Sequence, residues 1–147
     1  MVMPFGRPNN SDERGQHYSS ESDELGHRMQ HLFVLVLTSQ LGVAVATHDQ
    51  LGSDLGETYA IAGSTTEEDE EQGIDAWFFN GRSHKWVPID VTVTNDRAVL
   101  KHKDKREQET GVRVVRLNAA AIEQAARGGE WGLKQISTAM NELISST

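Results

Sequence analysis

Apolar residues along this chain fall into a few regular runs, and their spacing predicts most of the elements. From Ser20, the positions Leu25, Met29, Leu32, Phe33, Val36, Leu37 and Leu41 recur at steps of three and four. That spacing describes one apolar stripe on an amphipathic helix. Ser20 with Asp23 three positions on forms a capping box, and Gly42 is a C-terminal stop. Val43 to Ala46 is either the last turn of this helix or a short strand, and periodicity alone does not choose. Residues 47 to 73 carry Gly52, Gly56, Gly63 and the acidic run Glu67 to Glu71. They read as loop, with a short strand around Thr58 to Ala62 and the acidic run as solvated loop.

Two runs then alternate with period two, Ile74 to Phe79 and Trp86 to Thr94, joined by Asn80-Gly81-Arg82-Ser83-His84-Lys85. Asn-Gly between alternating runs predicts a hairpin. Asp96 to Glu109 reads as a charged helix broken at Gly111, and Val112 to Leu117 as a short strand. Asn118 caps a helix over Ala119 to Ala126, Gly128-Gly129 interrupts it, and Trp131 to Ile144 forms a last amphipathic helix. The order predicts a single layered α/β domain over residues 20–147. Residues 1–19, rich in Pro, Gly, Asn, Ser and charge, read as a disordered tail.

Strand parity brings chemistry into the picture. Val87, Ile89, Val91 and Val93 share one apolar face, while Asp90, Thr92 and Thr94 share the other, together with Asp75 of the first strand. A hairpin symmetric about the Arg82–Ser83 bond pairs position 75 with position 90 and sets the two Cβ atoms about 5 Å apart. Two carboxylates so placed repel unless a proton or a divalent cation lies between them. Mg²⁺ is held by one or two carboxylates, water and a substrate phosphate. The pair therefore points to phosphodiester hydrolysis.

Composition limits the alternatives. The chain has 147 residues and no Cys, which excludes disulfide scaffolds, thiolate metal sites and Cys nucleophiles. Its 14 Lys and Arg against 22 Asp and Glu leave a net charge of −8, unsuited to sequence-blind binding of a phosphate backbone. Arg97, Lys101, Lys103, Lys105 and Arg106 make one local basic stretch where DNA phosphates could be attracted. No secretory leader is evident in residues 1–10, and the longest apolar stretch is too short and too interrupted to span a bilayer, so a cytoplasmic protein without a membrane partner is expected. His27 and His31 are spaced as metal ligands but have no third partner in the pattern. Trp77, Trp86 and Trp131 read as core or interface residues. Neither a nucleophile elbow nor a Gly-rich phosphate loop is present.

The runs Gly73-Ile74-Asp75-Ala76-Trp77-Phe78-Phe79 and Val87-Pro88-Ile89-Asp90-Val91-Thr92, followed by a basic helix and Gly111-Val112-Arg113-Val114-Val115-Arg116-Leu117, resemble the PD-(D/E)XK nuclease superfamily. The resemblance covers roughly residues 20 to 118. It implies a restriction-endonuclease-like layered fold, with a helix behind a hairpin, an Asp opening one strand and an acid-x-Lys triplet on the next. It further implies a DNA endonuclease using Mg²⁺ or Mn²⁺, with Asp75 and Asp90 as metal ligands and Glu24 or Glu21 of the first helix as an added acid. Thr92 stands in the catalytic triplet where the family has its Lys. Relocated lysines occur in this superfamily, and Lys101 on the following helix is the expected substitute, with Arg97, Lys103, Lys105 and Arg106 left to contact DNA. The alternative is a catalytically inactive, nuclease-like structural or protein-interaction domain of a phage or mobile element. The hairpin and last helix carry Trp residues that a homodimer or a protein partner could cover.

Overall fold

The computed structural model describes residues 20–147, so the expected tail over 1–19 lies outside the described residues, as do the side chains of Ser20, Glu21, Ser22 and Asp23. Helix α1 spans Ser20–Ser39, and Gly42, at a left-handed φ of 73°, turns the chain out of it. The ambiguous stretch that follows is strand β1, Ala44–Ala46, and the expected short strand is β2, Ala60–Gly63. Helix α2 follows at Thr66–Gln72, then β3 at Ala76–Asn80 and β4 at Lys85–Thr92. Helix α3 spans Arg97–Thr110, β5 Arg113–Arg116, α4 Ala119–Ala126 and α5 Glu130–Ser146. The architecture is mixed α/β, a five-stranded sheet in the order β1-β2-β3-β4-β5 with helices. β1 and β2 pair parallel, β2, β3 and β4 form an antiparallel meander, and β5 pairs parallel to β4. Helix α3 is the crossover that this last parallel pair requires.

Helix α2 corrects the reading of residues 66–72 as loop. Thr65 Oγ1 accepts from Glu68 N at 3.1 Å, and Glu68 Oε1 accepts from Thr65 N at 2.9 Å, a complete capping box. The acidic residues Glu67, Glu68 and Asp69 fill its first turn, where the helix dipole favours negative charge. The cap and the dipole outweigh the like-charge repulsion of the run.

The larger core lies on one face of the sheet. Met29, Phe33, Val36 and Leu37 of α1 pack on Phe78, Val87 and Ile89, together with Ile122 and Ala125 of α4 and Ile136, Met140 and Leu143 of α5. Among the described residues, the opposite face carries a small cluster, Ala46, Ala60, Ala62 and Phe79, with Trp77, Trp86 and Leu55 against it. Helix α3 buries no residue at all. Polar contacts hold it instead: Glu107 Oε1 accepts from Val114 N at 2.7 Å, and Asp104 pairs with Arg116.

In the hairpin Ala76 pairs with Ile89 and Asn80 with Lys85. The fully buried Asn80 accepts from Arg82 N at 2.9 Å and donates to the Ile144 carbonyl at 3.0 Å, tying the turn to the end of α5.

Helices α4 and α5 approach so closely that a Cβ at Gly132 would lie 2.3 Å from the Ala121 carbonyl oxygen and 2.6 Å from Ala125 N. Gly to Ala inside an exposed helix is worth about 1 kcal/mol of added stability. Here Gly132→Ala is expected to lower stability by about 1–3 kcal/mol through overpacking. Urea unfolding reads the sign directly, and a gain in the midpoint would contradict the close α4–α5 contact.

Candidate active site

Asp75 is delivered to its position by the end of α2. Gly73 takes a left-handed φ of 70°, Ile74 N donates to the Glu68 carbonyl at 2.9 Å, and the chain enters β3 directly. The Asp75 carbonyl accepts from Gln30 Nε2 of α1 at 2.9 Å and from Ser64 Oγ at 3.1 Å. Its carboxylate Oδ2 accepts from Val91 N at 2.7 Å, a bond from the neighbouring strand. Asp75 thus lies just beyond the last ladder pair, Ala76 with Ile89, and beside Asp90 as the register requires.

Asp90 is buried, with only 6% of its side chain exposed. Lys103 Nζ of α3 donates to both of its oxygens, at 2.9 and 2.8 Å, and Arg106 Nη1 stands 4.0 Å from Oδ2. Thr92, two residues on, is also buried. Lys101, expected to serve as the relocated lysine, is exposed and does not approach the pair. Two residues along a helix are about 200° apart around its axis, so Lys101 and Lys103 cannot face the same way. The position that serves Asp90 is therefore Lys103, which had been assigned to DNA contact. Arg106 shares the inward side, and Arg97 and Lys105 are exposed.

The electrostatics follow from this crowding. Burial, then the charges of Asp90 and Asp69, push the Asp75 carboxyl up to about 8, against the opposing pull of the Val91 N–H. Asp75 therefore keeps its proton at neutral pH unless a cation replaces it. Asp69 of α2 is a site neighbour that the sequence pattern does not single out, because a run of like charge reads as loop; the Thr65-x-x-Glu68 cap is the signal that could find it. His27 Nε2 stands 3.8 Å from Asp69 Oδ2. Burial also pushes Glu68 up, but the Thr65 N–H, the Trp77 indole N–H and His48 together hold it below the usual carboxylate range. Trp77 thereby anchors α2 rather than facing a ligand.

Three grooves meet at Asp69 and Asp75. One, of about 680 Å³, passes Asp90 and Lys103 and has an apolar wall of Leu25, Met29, Val93 and Val99. A second, of about 570 Å³, runs between Glu70 and Glu71 of α2 and His102 and Arg106 of α3. The third, of about 560 Å³, is lined by His27 and His31 of α1 and by Ser64 and Thr65. Glu24 is exposed and lines none of the three.

Among the described residues, no set of three or more His, Cys, Asp and Glu converges as a metal cage. The oxygen donors present, the carboxylates of Asp75 and Asp90, fit a hard cation that takes its remaining ligands from water and substrate. Burial first, and then the Asp90 charge beside it, disfavour the ionised form of Asp75, so a cation bound there would displace a proton. In comparisons with known proteins, no family model, no curated protein and no solved structure matches this chain.

Two outcomes are expected. The folded protein holds on Asp75 a proton that the unfolded chain releases near 3.8, so this group's contribution to stability is fully present below that pH and is lost as pH rises toward about 8. Asp75→Asn removes this slope, so between about pH 5 and pH 8 the variant gains on the native protein by more than about 1.4 kcal/mol, the equivalent of one pKa unit. Parallel urea-unfolding curves at the two pH values would contradict the buried carboxyl. Lys103→Ala, which strands the buried Asp90 charge, costs about 3 kcal/mol, whereas Lys101→Ala stays within about 0.5 kcal/mol. Equal losses in thermal or urea unfolding would reverse the assignment.

Proposed function

We propose that the chain is a metal-dependent deoxyribonuclease with a restriction-endonuclease-like fold, hydrolysing phosphodiester bonds at Asp75 and Asp90 with Lys103 as the site's lysine. One observation carries the reading: two recessed carboxylates, one just before β3 and one on β4, the latter clasped by a lysine from the next helix. The order of elements agrees with the resemblance, since α1 packs behind the hairpin, Asp75 directly precedes β3 and Asp90 lies on β4. Lys103 supplies from α3 the cation that Thr92 cannot.

Mg²⁺ or Mn²⁺ held by Asp75 and Asp90 would offset charge on the scissile phosphate and acidify a bound water. The chain's own residues do the rest. The Val91 N–H and the anchored Asp75 carbonyl fix the first carboxylate in place. On arrival of a phosphate, the Lys103 ammonium can turn from Asp90 to the non-bridging oxygens and neutralise charge that grows as water attacks phosphorus. Glu24, exposed and away from the grooves, has no part in this arrangement.

A second reading, a nuclease-like domain without activity that serves as a structural or protein-interaction module, is favoured by the same clasp. Lys103 already satisfies both Asp90 oxygens, and the net charge of −8 opposes nucleic acid. The test is cleavage of linear, single-stranded and branched DNA with Mg²⁺ or Mn²⁺. The native chain is expected to cut, with Asp75→Asn, Asp90→Asn and Lys103→Met each slower by about a hundredfold or more. Absence of cutting by a folded native chain would assign the second reading.

A further inference from the structure

A substrate entering this site meets two unlike walls, and the difference bears on which form of DNA can reach the carboxylates. On one side α3 turns Lys103, Arg106 and His102 toward the cleft. Facing them, α2 presents Asp69, Glu70 and Glu71. Beyond Asp90 the cleft continues along Leu25, Met29, Val93 and Val99, an apolar wall in which Leu25 is 42% exposed. The carboxylates lie at the bottom, Asp90 itself being only 4% exposed.

Duplex DNA is a rigid rod with a phosphate rail on each strand, one charge per about 1.7 Å of axis when both are counted. A scissile phosphate pressed down to Asp90 from such a rod brings the second rail toward the acidic helix. That approach is repulsive within a Debye length of about 8 Å at physiological salt. The molecule's net charge of −8 supplies no compensating attraction from farther away. A single strand has no second rail to bring against α2. Its one line of phosphates can follow the α3 cations, and its unpaired bases, whose faces are apolar, can lie on Leu25, Val93 and Val99. An unpaired strand is also thin and flexible enough to carry one phosphate into a recessed site.

Building on the nuclease reading above, we infer that this site takes an unpaired DNA strand, a single strand or the splayed end of a duplex, with its backbone along α3 and its bases on the apolar wall. The acidic helix α2 acts as the barrier that keeps paired DNA out. Glu70 and Glu71 are exposed, and among the described residues neither makes a side-chain hydrogen bond or ion pair, so their charges can be changed without disturbing the fold.

The experiment uses the full chain and one labelled sequence in three forms: single-stranded, blunt duplex, and duplex with a splayed end. Fluorescence anisotropy with Ca²⁺ measures binding, and Mg²⁺ or Mn²⁺ then measures cleavage. The single strand and the splayed end are expected to bind at least about tenfold more tightly than the blunt duplex at physiological salt, a difference of about 1.4 kcal/mol. Glu70→Gln with Glu71→Gln is expected to narrow that gap by improving duplex binding, and Leu25→Asp to weaken the single strand. Equal or stronger binding of the blunt duplex overturns the inference while leaving the nuclease reading intact. Binding of the unpaired strand without cleavage keeps the strand preference and removes the nuclease. Failure to bind any of the three overturns both.

Discussion

Taking the Asp90 carboxylate out of water, beside a second carboxylate across the hairpin, is the constraint on which the rest of this structure turns. A buried charge without a partner costs several kcal/mol, and a like charge beside it adds to the cost. Lys103 answers the first demand with two hydrogen bonds, and the Asp75 proton answers the second. Because α3 buries no side chain of its own, the same lysine that neutralises Asp90 also fixes how the helix is rotated over the sheet. The pair of Asp104 with Arg116 and the bond from Val114 N to Glu107, one turn on from Lys103, tie the helix to β5, so its orientation rests on charge and hydrogen bonding rather than on a packed stripe.

The same constraint reaches α2. Asp75 is locked from three directions, by Gln30 of α1, by Ser64 at the end of β2 and by Val91 of β4. Arg106 of α3 lies over Gly73, where a Cβ would fall 1.9 Å from its guanidinium, so the end of α2, the start of β3 and the inner side of α3 are fitted to one another. A site assembled in this way is rigid where the carboxylates sit and polar where a ligand would enter. It accepts a loss of stability at neutral pH, since Asp75 either keeps its proton or loses it against repulsion. A cation supplied with a phosphate would relieve that tension, which connects the instability of the pair to its proposed use.

Charge is distributed unevenly for a molecule of net −8. The cations that face the cleft are few and sit on one helix, while the acids of α2 gather across from them. Lys101 and Lys105, which make the sequence look locally basic, are exposed away from the carboxylates. A count of basic residues in a segment therefore overstates the positive field at the site, and an orientation around the helix axis corrects it.

Much of this protein was legible in the chain itself. The spacing of Leu25, Met29, Phe33 and Val36 foretold α1, the alternation on both sides of Asn80 foretold the hairpin and its register, and Asp96, Gly111 and Asn118 marked the ends of α3 and the start of α4. These are local periods and caps, set by the geometry of one helix or two adjacent strands, so neighbours in sequence suffice. The proximity of Asp75 and Asp90 belongs with them, because a hairpin register is itself local. What the tertiary structure alone decided is how separate elements face one another: β1 joining the sheet parallel to β2, Asp69 reaching the site from a capped helix, and Lys103 rather than Lys101 meeting Asp90. A helix with no apolar stripe carries no sign of which side it will turn inward, and that choice waits for the buried charge that only the assembled sheet presents.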